Sequence, residues 1–369
     1  MQGRINVENQ IELSRRGLLA GSAALASFAV RVPALAAPAR QLTLVSQPVR
    51  IFKATDAGHE RTESWYLYLI GQTPDDQELV PDRLRIELFS AGKLAKVIDH
   101  VGPGLQALIF PTTGFKPALP DGGIPAAPLF WPFLVRLRLS EPIGSAIDSM
   151  RVVLEASESH GRKRRAVASL AIETYSQKTA LMFPFRGKGM IGQAGVGNGG
   201  HRNRSGQFAL DAMGLSDSYA PMVRPGPGNS PDEFSGWGRT LIAPADGTIM
   251  RARGDRPDQP DANSSDPKYF APEFPRGGDP GNHVVIDHSN GEFSLIAHLQ
   301  AGSVLPKLGD RIRQGDPIGK LGASGDASGP HVHYQLQSEI DWQYADGLPC
   351  TFSNVAEKPL FRGTYFEAT

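Results

Sequence analysis

Between about residues 40 and 179 apolar and polar positions alternate in short runs. Examples are Leu42-Thr43-Leu44-Val45, Trp65-Tyr66-Leu67-Tyr68-Leu69-Ile70, Arg83-Leu84-Arg85-Ile86-Glu87-Leu88 and Val135-Arg136-Leu137-Arg138-Leu139. A period of two sends one set of side chains to one face, as in a half-buried strand. Gly102-Pro103-Gly104 and Pro120-Asp121-Gly122-Gly123 interrupt the runs as turns do. The pattern predicts a mainly β protein that opens with an immunoglobulin-like β-sandwich over residues 40–179. Beyond a boundary near residues 176–184 it predicts a second β-rich domain over residues 180–369. There Leu241 to Ile249 reads as a strand with a turn, and His283–Asp287, Phe293–Leu299, Pro317–Leu321 and His331–Leu336 read as strands. Helical periodicity is nearly absent. The polar stretch from about Arg253 to Gly281 is too long for a plain connection and reads as a rim or cover of a site. Gly187–Gly192 and Gly195–Gly200 each fit a bare G-x-G-x-x-G, but no helical period follows either. They are predicted as loop, not as a dinucleotide site.

The N-terminus adds a compartment. Ser14-Arg15-Arg16-Gly17-Leu18-Leu19, a weakly apolar run through Val30 and then Ala34-Leu35-Ala36 form the pattern of a twin-arginine signal peptide over residues 1–36. Its apolar run of about 14 residues is too short for a membrane span. The mature chain is therefore expected to begin near Ala37, to be periplasmic or secreted from a bacterium, and to carry no transmembrane segment. Lys and Arg total 38, as do Asp and Glu, so the net charge of zero gives no electrostatic footprint for nucleic acid. Cys350 is the sole cysteine, which excludes an intrachain disulfide, and it reads as an inert thiol. Ser324 and Ser328 have no base that would make either a nucleophile.

Candidate chemistry lies in the second half. Six of the nine histidines fall between residues 201 and 333: His201, His283, His288, His298, His331 and His333. His331 and His333 stand two apart, so on a strand both rings face one side and can serve one metal. A metal site that hydrolyses needs three protein donors, an open position, and groups that take a proton and steady an oxyanion.

Five segments occur in order: Gly200-His201 leading to Gly206-Gln207-Phe208-Ala209-Leu210-Asp211, Ala243-Pro244-Ala245-Asp246-Gly247-Thr248, Gly281-Asn282-His283-Val284-Val285-Ile286-Asp287-His288, Leu295-Ile296-Ala297-His298-Leu299 and Gly329-Pro330-His331-Val332-His333. Together they resemble the successive signatures of the M23 peptidases, the lysostaphin-type or LytM-type zinc endopeptidases, over about residues 181–340. The resemblance implies a LytM-type fold for the second domain. It implies Zn²⁺ held by His201, Asp211 and His333, with His298 and His331 acting on the water and the oxyanion. It further implies attack of zinc-bound water on peptide cross-links of peptidoglycan. The alternative is a non-catalytic protein of the same fold that binds cell-wall peptides or activates an amidase.

The family spaces its opening pair H-x-x-x-D, whereas nine residues separate His201 from Asp211. His283 and Asp287 do have that spacing. At i and i+4 of a strand, however, they would lie about 13 Å apart, too far to share a metal, so His283 and His288 read as structural or rim residues.

Overall fold

The computed structural model describes residues 42–369 apart from 48–49, 57–58, 74–77, 111–131, 196–200, 202–204, 222–229, 264 and 273–277. The expected signal peptide, residues 1–36, lies outside the described residues, and residues 39–369 form one compact unit. Strands dominate, and among the described residues the one α-helix is the single turn Gly102–Gln106. No helix among them is long and apolar enough to cross a membrane.

The alternating runs of the first half become two five-stranded sheets. In one, His59–Gln72 pairs antiparallel with Leu134–Pro142 and with Thr43–Gln47. In the other, Leu79–Ser90, Ser149–Glu158 and Lys163–Glu173 form an antiparallel run, and Ile51–Phe52 adds in parallel at its edge. Their inward positions, among them Trp65, Leu67, Leu84, Ile86, Leu137 and Val152, meet in one cluster. Alternation explains that core directly, because each strand gives every second residue to it.

The second half is built on a nine-stranded antiparallel sheet. Its order runs from Arg311–Ile312 through Gly247–Arg253, Asn282–Asp287, Phe293–Leu299, Val332–Gln337 and Leu210–Gly214 to Gly187–Ala194 and Tyr365–Ala368. Phe293–Leu299 is a nearly continuous apolar run with both faces covered, whereas Val332–Gln337 alternates apolar residues with His333, Gln335 and Gln337. Ile286, Ile296, Val332 and Tyr334 enter a large core with Phe183, Phe185, Phe352 and Phe366, and Val285, Leu295 and Ala297 form a smaller cluster on the other face.

One expectation is overturned. Gly187–Gly192 is not loop but most of the strand Gly187–Ala194, paired on one side with Leu210–Gly214 and on the other with Tyr365–Ala368. Glycine is required there for closeness. A Cβ on Gly189 would fall 2.5 Å from the Phe366 ring and 2.9 Å from that of Phe185.

Glu292, fully buried, ties the segment after the first half to this sheet. Its carboxylate accepts from the Tyr175 hydroxyl, from Lys178 N at 2.7 Å and from Thr179 N at 2.8 Å. Burial favours the neutral acid, yet these donors hold Glu292 below the ordinary glutamate range. In Glu292→Gln an amide NH₂ must face one of the two backbone N–H groups. The expected loss is about 2–3 kcal/mol of stability, read as a lowered denaturant midpoint at unchanged slope.

Candidate metal centre and its flanking histidines

Three neighbouring strands supply the centre. Asp211 on Leu210–Gly214 stands opposite His333 on Val332–Gln337, and His333 stands opposite Ala297 on Phe293–Leu299. Partners directly across an antiparallel ladder project to the same face, so Asp211 and His333 meet with no loop geometry. Asp211 Oδ1 lies 2.9 Å from His333 Nδ1, and Asp211 Oδ2 lies 3.2 Å from His201 Nε2. His201 reaches in from outside the sheet. The 3₁₀ turn Ser205–Phe208, buried at Ser205, Gly206 and Gln207, takes up chain between it and Asp211. Despite the nine-residue spacing, one potential ligand atom each from His201, Asp211 and His333 lies within 4.8 Å of the others.

His298 needs a distortion to join them. Two residues, Ala297 and His298, stand against the single His283 between the pairs Asn282–Leu299 and Val284–Ile296. This is the count of a β-bulge, and His298 adopts φ 62° in the left-handed region. Strict alternation would send its ring to the face opposite Ala297 and His333. With the bulge its ring centroid is 4.7 Å from that of His331 and 5.9 Å from that of His333. Such backbone costs about 1–3 kcal/mol and persists where surrounding contacts enforce it; here His298 N donates to Pro280 O at 3.0 Å.

His331 precedes its strand instead of opening it. The strand begins at Val332, and His331 makes an isolated bridge to Gly322. A Cβ on Gly322 would lie 2.3 Å from the Gln300 backbone, so only glycine lets the chain at 322 lie this close to residue 300. His331 Nε2 then stands 3.7 Å from Asp211 Oδ1.

Backbone carbonyls fix two of the tautomers. His298 Nδ1 lies 2.8 Å from Ser324 O, and His331 Nδ1 lies 2.8 Å from Gly329 O. A carbonyl only accepts, so each Nδ1 carries the proton and each Nε2 keeps a lone pair. Burial first, then the neighbouring His331 and His333, hold His298 well below the ordinary histidine range, so its ring is neutral at physiological pH. Burial likewise lowers His201. For Asp211 burial works toward protonation, but the surrounding His331, His201 and His333 outweigh it and hold the carboxyl well below the usual carboxylate range. Burial would lower His333, yet Asp211 and Gln335 raise it.

The five residues line a cavity of about 280 Å³ whose walls include Leu295, Ala297 and Trp342. A larger cleft of about 480 Å³, between Phe52, Tyr66, Phe208 and Phe361, includes none of them. The rim expected over residues 253–281 is fastened to the loop before His331. Asp258 accepts from Ala323 N at 2.8 Å, Gln259 Nε2 donates to Gly325 O at 2.6 Å, and Ser265 Oγ donates to Asp326 at 2.7 Å. Gly278, Asp279 and Pro280, at its end, line the cavity.

Sequence reasoning missed Gln193, whose Nε2 donates to Asp211 Oδ2 at 3.1 Å from a register shift in its strand. It also missed Gln335, whose Oε1 faces His333 Nε2 at 2.9 Å. For Gln335 the signal was available: it is the next residue on the His333 face.

His283 and His288 stay apart from the centre. His288 bonds Asp246 O and Ser294 Oγ, and His283 bonds Gly281 O and packs edge-on against Trp342 at 5.0 Å. Burial, opposed by the hydrogen bond to Gly281 O and more weakly by Asp279 but reinforced by Arg253 and Arg251, brings His283 down to about 4. The unfolded chain, near 6.5, therefore binds the proton more tightly. The His283 contribution is fully present above pH 6.5 and is lost as pH falls toward 4, on the order of 3 kcal/mol across that window. His283→Gln should lose less stability than the wild type between those two pH values in acid-series denaturation. Equal slopes would remove His283 from the acid limb. Cys350, pushed up to about 12 by burial, is in keeping with an inert thiol.

Residues 233–344 match the model of peptidase family M23. The match takes in His298, His331 and His333 and leaves His201 and Asp211 outside it, so those two rest on geometry. Over 56 residues the chain is 47% identical to the peptidoglycan DD-endopeptidase ShyC of Vibrio cholerae, which is 15% of this chain and 12% of that protein. Over 62 residues it is 43% identical to the DD-carboxypeptidase/endopeptidase Mpg of Neisseria meningitidis, 17% of this chain and 14% of that one. The matched stretches thus span only about an eighth of the length of these curated relatives. A solved zinc-containing peptidase from Vibrio cholerae aligns over 82% of this chain and 85% of its own, at 12% identity and a TM-score of 0.26, too loose to bear on fold or site.

Proposed function

We propose that this chain is an exported zinc metalloendopeptidase that hydrolyses peptide cross-links of peptidoglycan. The observation that carries the proposal is the meeting of His201, Asp211 and His333 within 4.8 Å, in one cavity with His298 and His331. Two imidazoles and one carboxylate fit Zn²⁺, since they leave it a net positive charge and use the nitrogen and oxygen donors it favours. Zinc bound there supplies a Lewis acid that polarises a carbonyl and eases deprotonation of water.

The rest is the work of the chain. His298 and His331 each present an unprotonated Nε2, so either takes the proton as water attacks the scissile carbonyl. That ring, now charged, donates to the departing amine, and the second steadies the negative charge on the carbonyl oxygen only in its Nε2-protonated form. Gln193 holds the Asp211 carboxylate, and Leu295, Ala297 and Trp342 keep bulk water from one wall. The substrate class draws support from the peptidoglycan-cleaving relatives named above. Residues 1–36 serve as the twin-arginine signal, residues 180–369 as the peptidase domain and residues 40–179 as an accessory domain that positions the wall polymer.

Purified peptidoglycan incubated with the protein should gain new amino termini, lose that gain with a zinc chelator and recover it on adding zinc. Fragments that appear regardless of chelator would remove the metal from the reaction.

A further inference from the structure

His333, Gln335 and Gln337 occupy alternate positions of the Val332–Gln337 strand and share one face. Across the ladder from them stand Ala297, Leu295 and Phe293, none of which can bond an amide through its side chain. Gln335 is 2% exposed and Gln337 0%. Two amides placed there are costly unless their donors and acceptors are met. They are met in one direction only. Gln337 Nε2 donates to Glu339 O at 2.6 Å and to Ile340 O at 3.2 Å. Carbonyl oxygens only accept, so the NH₂ end of Gln337 faces them and its Oε1 turns back along the strand. Gln335 Nε2 donates to that oxygen. The Oε1 of Gln335 is thereby turned to His333 Nε2, 2.9 Å away. Reversing the relay would set the Gln337 oxygen against two carbonyl oxygens.

An amide oxygen only accepts, so Nε2 of His333 must carry the proton. We infer that Gln335 and Gln337 are positioning residues: their relay, anchored on Glu339 O and Ile340 O, fixes His333 with its proton on Nε2 and reserves Nδ1 as the metal donor. Nδ1 lies 2.9 Å from Asp211 Oδ1, so without a metal it shares a proton with that carboxylate, and it must give that proton up to act as donor. The sense is opposite to that at His298 and His331, where backbone carbonyls hold Nδ1–H and free Nε2. The same type of ring is thus set as ligand or base by which nitrogen meets an acceptor. The inference rests on the reading that His201, Asp211 and His333 hold zinc.

Full-length protein is stripped of metal, and zinc affinity is measured by competition with a chromophoric chelator for wild type, Gln335→Met, Gln335→Glu and Gln337→Met. Methionine fills the volume and accepts only weakly, so Gln335→Met should bind zinc about 10- to 100-fold more weakly, the usual effect of losing the partner of a ligating imidazole. A glutamic acid that carries its proton on the oxygen facing Gln337 Oε1 accepts from His333 through the other oxygen, so Gln335→Glu, buried there, should bind close to wild type. Gln337→Met should fall between, because Gln335 keeps its oxygen but loses its orientation. Imidazole nitrogen NMR of the zinc-loaded wild type should show His333 coordinated through Nδ1 with a protonated Nε2. The Gln335→Glu rescue separates this role from a packing defect, which glutamate would not repair.

Wild-type affinity in Gln335→Met, or coordination through Nε2, overturns the inference while leaving the zinc reading intact. A wild type that takes up no zinc overturns both.

Discussion

Replacing His333 by alanine is expected to abolish tight zinc binding. The variant keeps His201 and Asp211 but loses the one donor that stands directly across the sheet from Asp211. Two donors hold Zn²⁺ far less well than three, and the loss should be on the order of a thousandfold in affinity, with hydrolysis falling alongside. The metal-free fold should survive, because the neighbours Val332 and Tyr334 carry the core contacts and the His333 ring faces the cavity. His283→Ala is the matched control: its ring packs on Trp342 outside the centre, so zinc uptake should be unchanged despite the H-x-x-x-D spacing with Asp287. Isothermal titration of the two variants reads this directly. Zinc lost from His283→Ala and kept by His333→Ala would reverse the assignment.

His331→Ala and His298→Ala should separate chemistry from metal binding. Neither residue belongs to the three-donor group, and each offers Nε2 as a proton acceptor because its Nδ1–H is given to a backbone carbonyl. Loss of a positioned general base or oxyanion donor costs about 10²–10⁴ in rate. Both variants should hold zinc near wild-type affinity and turn over at that reduced rate. If His298→Ala also releases zinc, the ring acts on the metal or its other ligands instead of on the substrate. The left-handed backbone at residue 298 gives a further reading. His298→Asn, a residue that tolerates this conformation better than most, should fold as well as the wild type yet remain as slow as His298→Ala.

What the sequence could and could not announce follows from how each part is held. The strands around Phe293–Leu299 were legible because long apolar runs bounded by turns have few other ways to be buried. The pairing of Asp211 with His333 follows once those strands are neighbours. Gly187–Ala194 was not legible, since a glycine-rich strand leaves no alternating side chains to reveal its period. Its place depends on Phe185 and Phe366, which fill the space a Cβ would take at Gly189. His298 could be nominated by order along the chain, but its orientation comes from a bulge that no local pattern encodes. The nine-residue spacing of His201 and Asp211 is a departure in sequence, yet both reach one point, with the buried 3₁₀ turn Ser205–Phe208 taking up part of the chain between them. Gln193 acts through a register shift, which composition cannot show.

One bound zinc and two flanking imidazoles are what would make this cavity hydrolytic. The most direct test is zinc content measured on the same samples as peptide release from purified peptidoglycan, for wild type and His331→Ala. Both should hold about one zinc per chain, with fragments released at speed by the wild type alone. Wild-type protein that holds zinc and cuts nothing would contradict a hydrolytic cavity and leave a protein that binds wall peptides without cleaving them.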